Sequence, residues 1–175
     1  MTIRFALAAA LAALVTIPLM AQLQKKEVAG IPNYSRVDAN VGFGGQVEPA
    51  AMARLKIEGF VSVINLRRDT ESGADAEADG AQAKAAGLKY IHLPFNAASP
   101  EAKVVESFLA AVADRSNLPV FIYSGSGNRV GTVWMIKRVL QDKWPVDKAL
   151  AEAKAIGLNN PDLVTFATEY ISTHK

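Results

Sequence analysis

Residues Val120–Val139, VFIYSGSGNRVGTVWMIKRV, decide how the chain is read. Val120, Phe121, Ile122 and Tyr123 have the β-branched and aromatic character of a strand. A small polar turn with Gly125 and Gly127 follows, then Asn128 and Arg129, and from Val130 an apolar helical segment. In an open α/β sheet, ligands bind beyond the carboxyl ends of the strands, where the next helices present their N-termini. Two glycines let backbone N–H groups converge, and the helix dipole adds about half a positive charge at that end. Arg129 supplies a planar fork that matches two oxygens of a phosphate or sulfate. The expectation is an anion pocket built by Gly125, Ser126, Gly127, Asn128 and Arg129, with Ser124 at its base.

The flanking segments place this unit in an α/β domain. Val41–Gly44, Val61–Leu66 and Lys89–Leu93 are strand candidates. Pro49–Glu58 and Ala74–Ala86 read as helices ended by Gly59 and Gly87. Ser99 and Pro100 suit an N-cap and first helical position, opening a helix to about Asp114 whose Val104, Val105, Phe108 and Val112 share a face. Two more helices are expected, Pro145–Ile156 and Pro161–Ser172. Strands alternating with helices predict a three-layer α/β sandwich around a mostly parallel sheet.

The first residues read differently. Met1–Arg4 is a short basic segment and Phe5–Met20 an apolar run rich in Ala and Leu. Sixteen residues suit a secretory signal better than a bilayer span, with Ala21 near the cleavage point. Residues 1–21 are therefore expected to be a signal peptide, 22–39 a polar N-terminal extension and 40–175 the domain. An uncleaved anchor is the alternative, and the only route to a membrane. The expected location is periplasmic or secreted.

Removing the leader takes Arg4 from the 19 basic residues and none of the 17 acidic ones, leaving a net charge of +1. Such balance leaves no footprint for nucleic acid. The chain has no cysteine, which excludes thiolate chemistry. Other short motifs fail on spacing. No Gly-Lys-Ser/Thr follows the loop, and Ser124 and Asn128 stand where a serine nucleophile elbow centred on Ser126 needs glycines. Asp75, Glu77, Asp79 and Gly80 imitate the start of a calcium loop, but Ala86 stands where its bidentate glutamate belongs. No cofactor and no metal is expected.

The segment SGSGNRVGTVWMIKRVL, with DKALAEAKAIGL after it and GFGGQVEPAAMARLKIEGFVSVINLR and GLKYIHLPF before it, resembles bacterial phosphatase-like proteins. These are related to dual-specificity and tyrosine phosphatases and include the phosphatase-like domain of the beta-lactamase-hydrolase-like proteins. The resemblance covers Asn40 to about Ile171. It implies a phosphatase-like fold, a nucleophile position at Ser124 and an oxyanion-binding role for Arg129. It also implies a phosphorylated or sulfated small molecule or protein as partner. That group typically carries a cysteine, often preceded by histidine, where Ser124 and Tyr123 stand here. The loop is also one residue shorter than the general tyrosine phosphatase signature and resembles the rhodanese loop.

The group's general acid comes from the loop after the preceding strand, where this chain has Asn96 and no carboxylate. Asp69, or Glu71, is the tentative substitute from the neighbouring loop. Both chemical roles are altered while the binding apparatus remains. Three readings stay open: an anion-binding protein with impaired catalysis, an active phosphoester hydrolase, and a partner-binding domain with a relic loop.

Overall fold

The computed structural model describes residues 23–175, so the signal peptide expected over 1–21 lies outside the described residues. Among the described residues no helix is long and apolar enough to cross a membrane. In chain order come strands β1 (Gln24–Lys25), β2 (Ser35–Arg36) and β3 (Val41–Gly44), helix α1 (Met52–Ile57), β4 (Ser62–Asn65), α2 (Ala76–Ala85) and β5 (Lys89–His92). Then follow α3 (Ala102–Ala113), β6 (Val120–Tyr123), α4 (Asn128–Leu140), α5 (Val146–Ile156) and α6 (Pro161–His174). The sheet runs β1-β2-β3-β6-β4-β5. Its first two pairings are antiparallel and the other three parallel.

β6 sits between β3 and β4, and the register ends all three strands at one level, with Gly44 and Asn65 each opposite Tyr123. Its side chains alternate between two cores, as pleating requires. Val120 and Ile122 face the layer of α3 to α6, while Phe121 and Tyr123 face the layer of α1 and α2. A strand buried on both faces needs the continuous apolar run seen in VFIY.

α4 carries almost no polar face, because the sheet lies on one side and α5 and α6 on the other. Gly131 permits that closeness. A Cβ there would come within 2.7 Å of the Leu158 Cβ and 2.8 Å of the Ala153 carbonyl oxygen. Gly131→Ala is expected to cost about 2 kcal/mol of stability, read by urea denaturation, because both neighbours belong to packed elements. A midpoint equal to that of the parent would show that α5 yields freely.

Two expectations change at helix starts. α3 begins at Ala102 with no side-chain cap, since the Asn96 Oδ1 accepts the Ala98 N–H and keeps Ser99 in a preceding turn. α2 begins at Ala76 because Asp75 takes the cap position and accepts the Ala78 N–H. The 22–39 stretch, expected as a polar extension, supplies β1 and β2. It buries Ile31, Tyr34 and Val37, and the Tyr34 ring stacks on Phe121 at 5.6 Å between centroids.

Candidate functional site

Beyond Tyr123 the chain turns at the level where β3, β4 and β6 end. Ser124 is fully buried there, and its Oγ accepts the Gly127 N–H at 3.2 Å. Gly127 has φ +94° and precedes the first turn of α4, and a Cβ on it would lie 2.9 Å from the Ile156 carbonyl oxygen. Only glycine fits both demands. Gly125 and Ser126 are exposed at the crest of the loop. No side chain caps α4, so its first-turn N–H groups stay free and the positive end of its dipole faces the loop.

Asn128 and Arg129 divide two tasks. The Asn128 Oδ1 accepts the N–H groups of Asn159 and Asn160 at 2.8 and 2.9 Å, fastening the loop to the start of α6. Its amide is therefore a strut, with the Nδ2 3.4 Å from the Ser126 Oγ. Arg129, 9% exposed, donates from Nη1 to the carbonyls of Leu66 at 3.0 Å and Phe95 at 3.3 Å. Both terminal nitrogens then fork onto the Glu71 carboxylate, with Nη2 2.7 Å from Oε2.

Glu71 lies at the mouth of the loop. A Cβ on Gly125 would be 3.5 Å from the Arg129 Nη2 and 3.9 Å from the Glu71 Oε2, so the ion pair sits directly above the glycine. The Arg68 N–H also donates to Glu71, and the Arg67 Nε stands 3.5 Å away. Partial burial raises the pKa of this carboxyl. The hydrogen bonds from Arg129 and the Arg68 backbone, with the charges of Arg129 and Arg67, outweigh burial and hold it at about 2. Arg67 is buried and donates to the Ser72 and Gly73 carbonyls, bending the 67–73 loop over the site.

A cleft of about 370 Å³ opens beside the pair, lined by Arg68, Glu71, Asn96, Ser126, Asn128, Arg129, Asn160 and others. Of the residues expected from the sequence, the structure brings Ser126, Asn128, Arg129 and Glu71 together there, with Asn96 beside them, while Ser124, Gly125 and Gly127 do not line it. Asp69 is not brought in. It is exposed, and its Oδ1 accepts the Ala76 N–H at the start of α2. Tyr123 points away from the loop, its hydroxyl donating to the Asp79 Oδ2 at 2.8 Å in the opposite layer. Burial pushes the Tyr123 pKa far above the ordinary tyrosine range, with Tyr90 and Asp79 adding to it. Burial likewise raises that of Asp79. Trp134 is core, its indole N–H donating to Glu152 at 2.7 Å. No group of three or more metal-ligating side chains occurs among the described residues.

The pairing of Glu71 with Arg129 is not legible in the sequence, since 58 positions separate the two. Its one local signal is the Arg67-Arg68 dipeptide after a strand, two cations in need of an anion.

The fold is shared with known proteins. The family described as beta-lactamase hydrolase-like protein, phosphatase-like domain, matches residues 33–141. The chain belongs to this family. No curated relative matches it in sequence. Among solved structures, a phosphatase-like protein from Shewanella putrefaciens superposes with a TM-score of 0.72 at 21% identity, over 83% of this chain and 95% of that one. TpbA of P. aeruginosa gives 0.67 at 21% identity, over 89% and 91%. The core catalytic domain of a PP-IP phosphatase of S. cerevisiae gives 0.68 at 18% identity, over 82% and 88%. These likenesses establish a phosphatase-like α/β fold with a mostly parallel sheet.

Proposed function

We propose that this member of the phosphatase-like domain family is an exported protein that holds a phosphate or sulfate group on the Ser124–Arg129 loop and catalyses poorly or not at all. The observation that carries the reading is the Glu71 carboxylate seated in the Arg129 fork over Gly125. The site already holds an internal oxyanion in the guanidinium fork, next to Gly125 at the crest of the loop. An external phosphate offers the same two oxygens with more charge.

The chemical roles are weakly filled. The Ser124 hydroxyl is buried against the Gly127 N–H, and an alkoxide lies many pKa units above the thiolate such loops employ. Glu71 is the carboxylate that lines the cleft, and at a pKa of about 2 it has no proton to give near neutrality. TpbA has also been solved in a cysteine-to-serine form in complex with phosphotyrosine. In that protein a serine is compatible with a bound phosphorylated ligand, and we extend this to Ser124. The signal peptide expected over residues 1–21 from their sequence supports export to the periplasm.

Phosphate or sulfate is expected to stabilise the protein by about 1.4 kcal/mol at roughly ten times Kd, read as a rise in melting temperature. Arg129→Lys, which keeps the charge and loses the fork, should remove most of the effect. An identical shift in that variant would place the anion elsewhere. Arg129-dependent turnover of an aryl phosphate by the unaltered protein would overturn the impaired-catalysis half of the reading.

A further inference from the structure

A second cleft, of about 260 Å³, lies on the other side of the same loop. Three separate segments wall it: Lys25, Asn33 and Ser35 from the β1–β2 hairpin, Ser126 from the loop crest, and Lys154 and Gly157 from the end of α5. Ser126 belongs to both clefts, so they are adjacent and share one wall. The side-chain chemistry here is one-sided, with two ammonium groups, an amide and two hydroxyls, and no carboxylate. Neither lysine has an acidic partner among the described residues. Ser35 adds a hydroxyl to the same wall: the residue is only 2% exposed and lines the cleft, with no hydrogen bond from its hydroxyl to another described residue.

We propose that this cleft is a subsite for a second anionic group of the ligand bound at Arg129, so that the protein selects small molecules carrying two phosphate or sulfate groups. The proposal rests on the reading of the Ser124–Arg129 loop as an anion site. It gives the β1–β2 hairpin a role besides lengthening the sheet and adding Ile31, Tyr34 and Val37 to the cores. Lys154 also lies in the last turn of α5, where a cation complements the helix dipole on its own account. Only a ligand-dependent readout separates the two roles.

The test compares inorganic phosphate with fructose 1,6-bisphosphate by calorimetry at fixed ionic strength. The parent should bind the bisphosphate at least about tenfold more tightly, the worth of one charge-assisted contact. Lys25→Gln with Lys154→Gln should bring that ratio close to one and leave the phosphate Kd unchanged. Both lysines are exposed, so the fold should survive. Lys103→Gln, at an exposed position on α3, controls for overall charge and should leave the ratio intact. A ratio unaffected by the double variant, or lowered equally by Lys103→Gln, overturns the subsite while leaving phosphate binding at Arg129 standing. Absence of phosphate binding altogether overturns both readings.

Discussion

Glu71→Gln is expected to tighten phosphate binding by about tenfold to a hundredfold. In the free protein the Arg129 fork is already satisfied by the Glu71 carboxylate, so an arriving anion has to displace it or sit beside it. Two like charges about 4 Å apart cost on the order of 4 kcal/mol at a near-surface dielectric. Part of that gain is offset, because Glu71 also holds the guanidinium in place, and a net of about 1.4 to 2.7 kcal/mol remains. Calorimetric titration with phosphate measures it. An unchanged Kd would mean that the carboxylate does not compete with the anion and that the ligand lies elsewhere in the cleft.

The same variant predicts a pH signature. The native Glu71 carboxyl is held at about 2 against an ordinary value of 4.5. A depressed native pKa stabilises the fold in full above about pH 4.5, and the contribution is lost as pH falls toward 2. At most about 3 kcal/mol is at stake, and less given that a fifth of the side chain meets solvent. Between pH 4.5 and 2 the parent should therefore lose stability more steeply than Glu71→Gln, and above pH 5 the parent should be the more stable. Parallel curves would show that the ion pair contributes little.

β3, β6 and the loop are legible from local signals alone. VGFG and VFIY are short apolar runs bounded by polar residues, and Gly127 stands before a helix where a left-handed residue is needed. The domain's layering follows from the alternation of such runs with helical periods. What escapes a reading of the sequence depends on contacts distant along the chain. Glu71 is one of two candidate acids in a polar loop, and its pairing with Arg129 emerges only when the sheet register brings the end of β4 beside the end of β6. Asp69 looks equally suited to acid chemistry, but local geometry gives it the Ala76 N–H instead. β1 and β2 are two residues each and polar, so no period announces them. Their place is set by Ile31, Tyr34 and Val37 sinking into the cores on either face. The loop motif suggests that Asn128 meets the anion directly. Its acceptance of two N–H groups from residues 159 and 160 cannot be read across a spacing of more than 30 positions.

Ser124→Cys should convert the loop from a holder of anions into a reactive one. The new thiol would sit at the base of the loop, where the Ser124 Oγ now accepts the Gly127 N–H beside the uncapped start of α4, a setting that favours its thiolate. Its pKa should fall below the ordinary value of about 8.5. Iodoacetamide should then label it at mildly acidic pH faster than a free thiol, with phosphate protecting it. Glu71 now enters as a control, since its negative charge opposes the thiolate. Adding Glu71→Gln should lower the thiol pKa further and speed the labelling.

Turnover of an activated aryl phosphate should appear in the cysteine variant. The thiolate attacks phosphorus, the phenolate departs with the bonding pair, and water later releases phosphate from the thiophosphate intermediate. Esters with poor leaving groups should react slowly, because their departure needs a proton that Asn96 cannot supply. Asn96 lines the same cleft and its Oδ1 serves the Ala98 N–H, a bond that aspartate would keep. Asn96→Asp in the cysteine background should therefore raise turnover of poor leaving groups by about a hundredfold and of good ones far less. If the introduced thiol instead shows ordinary reactivity and phosphate gives no protection, the N–H groups and Arg129 do not converge on position 124. The anion-binding reading of the loop then fails with them.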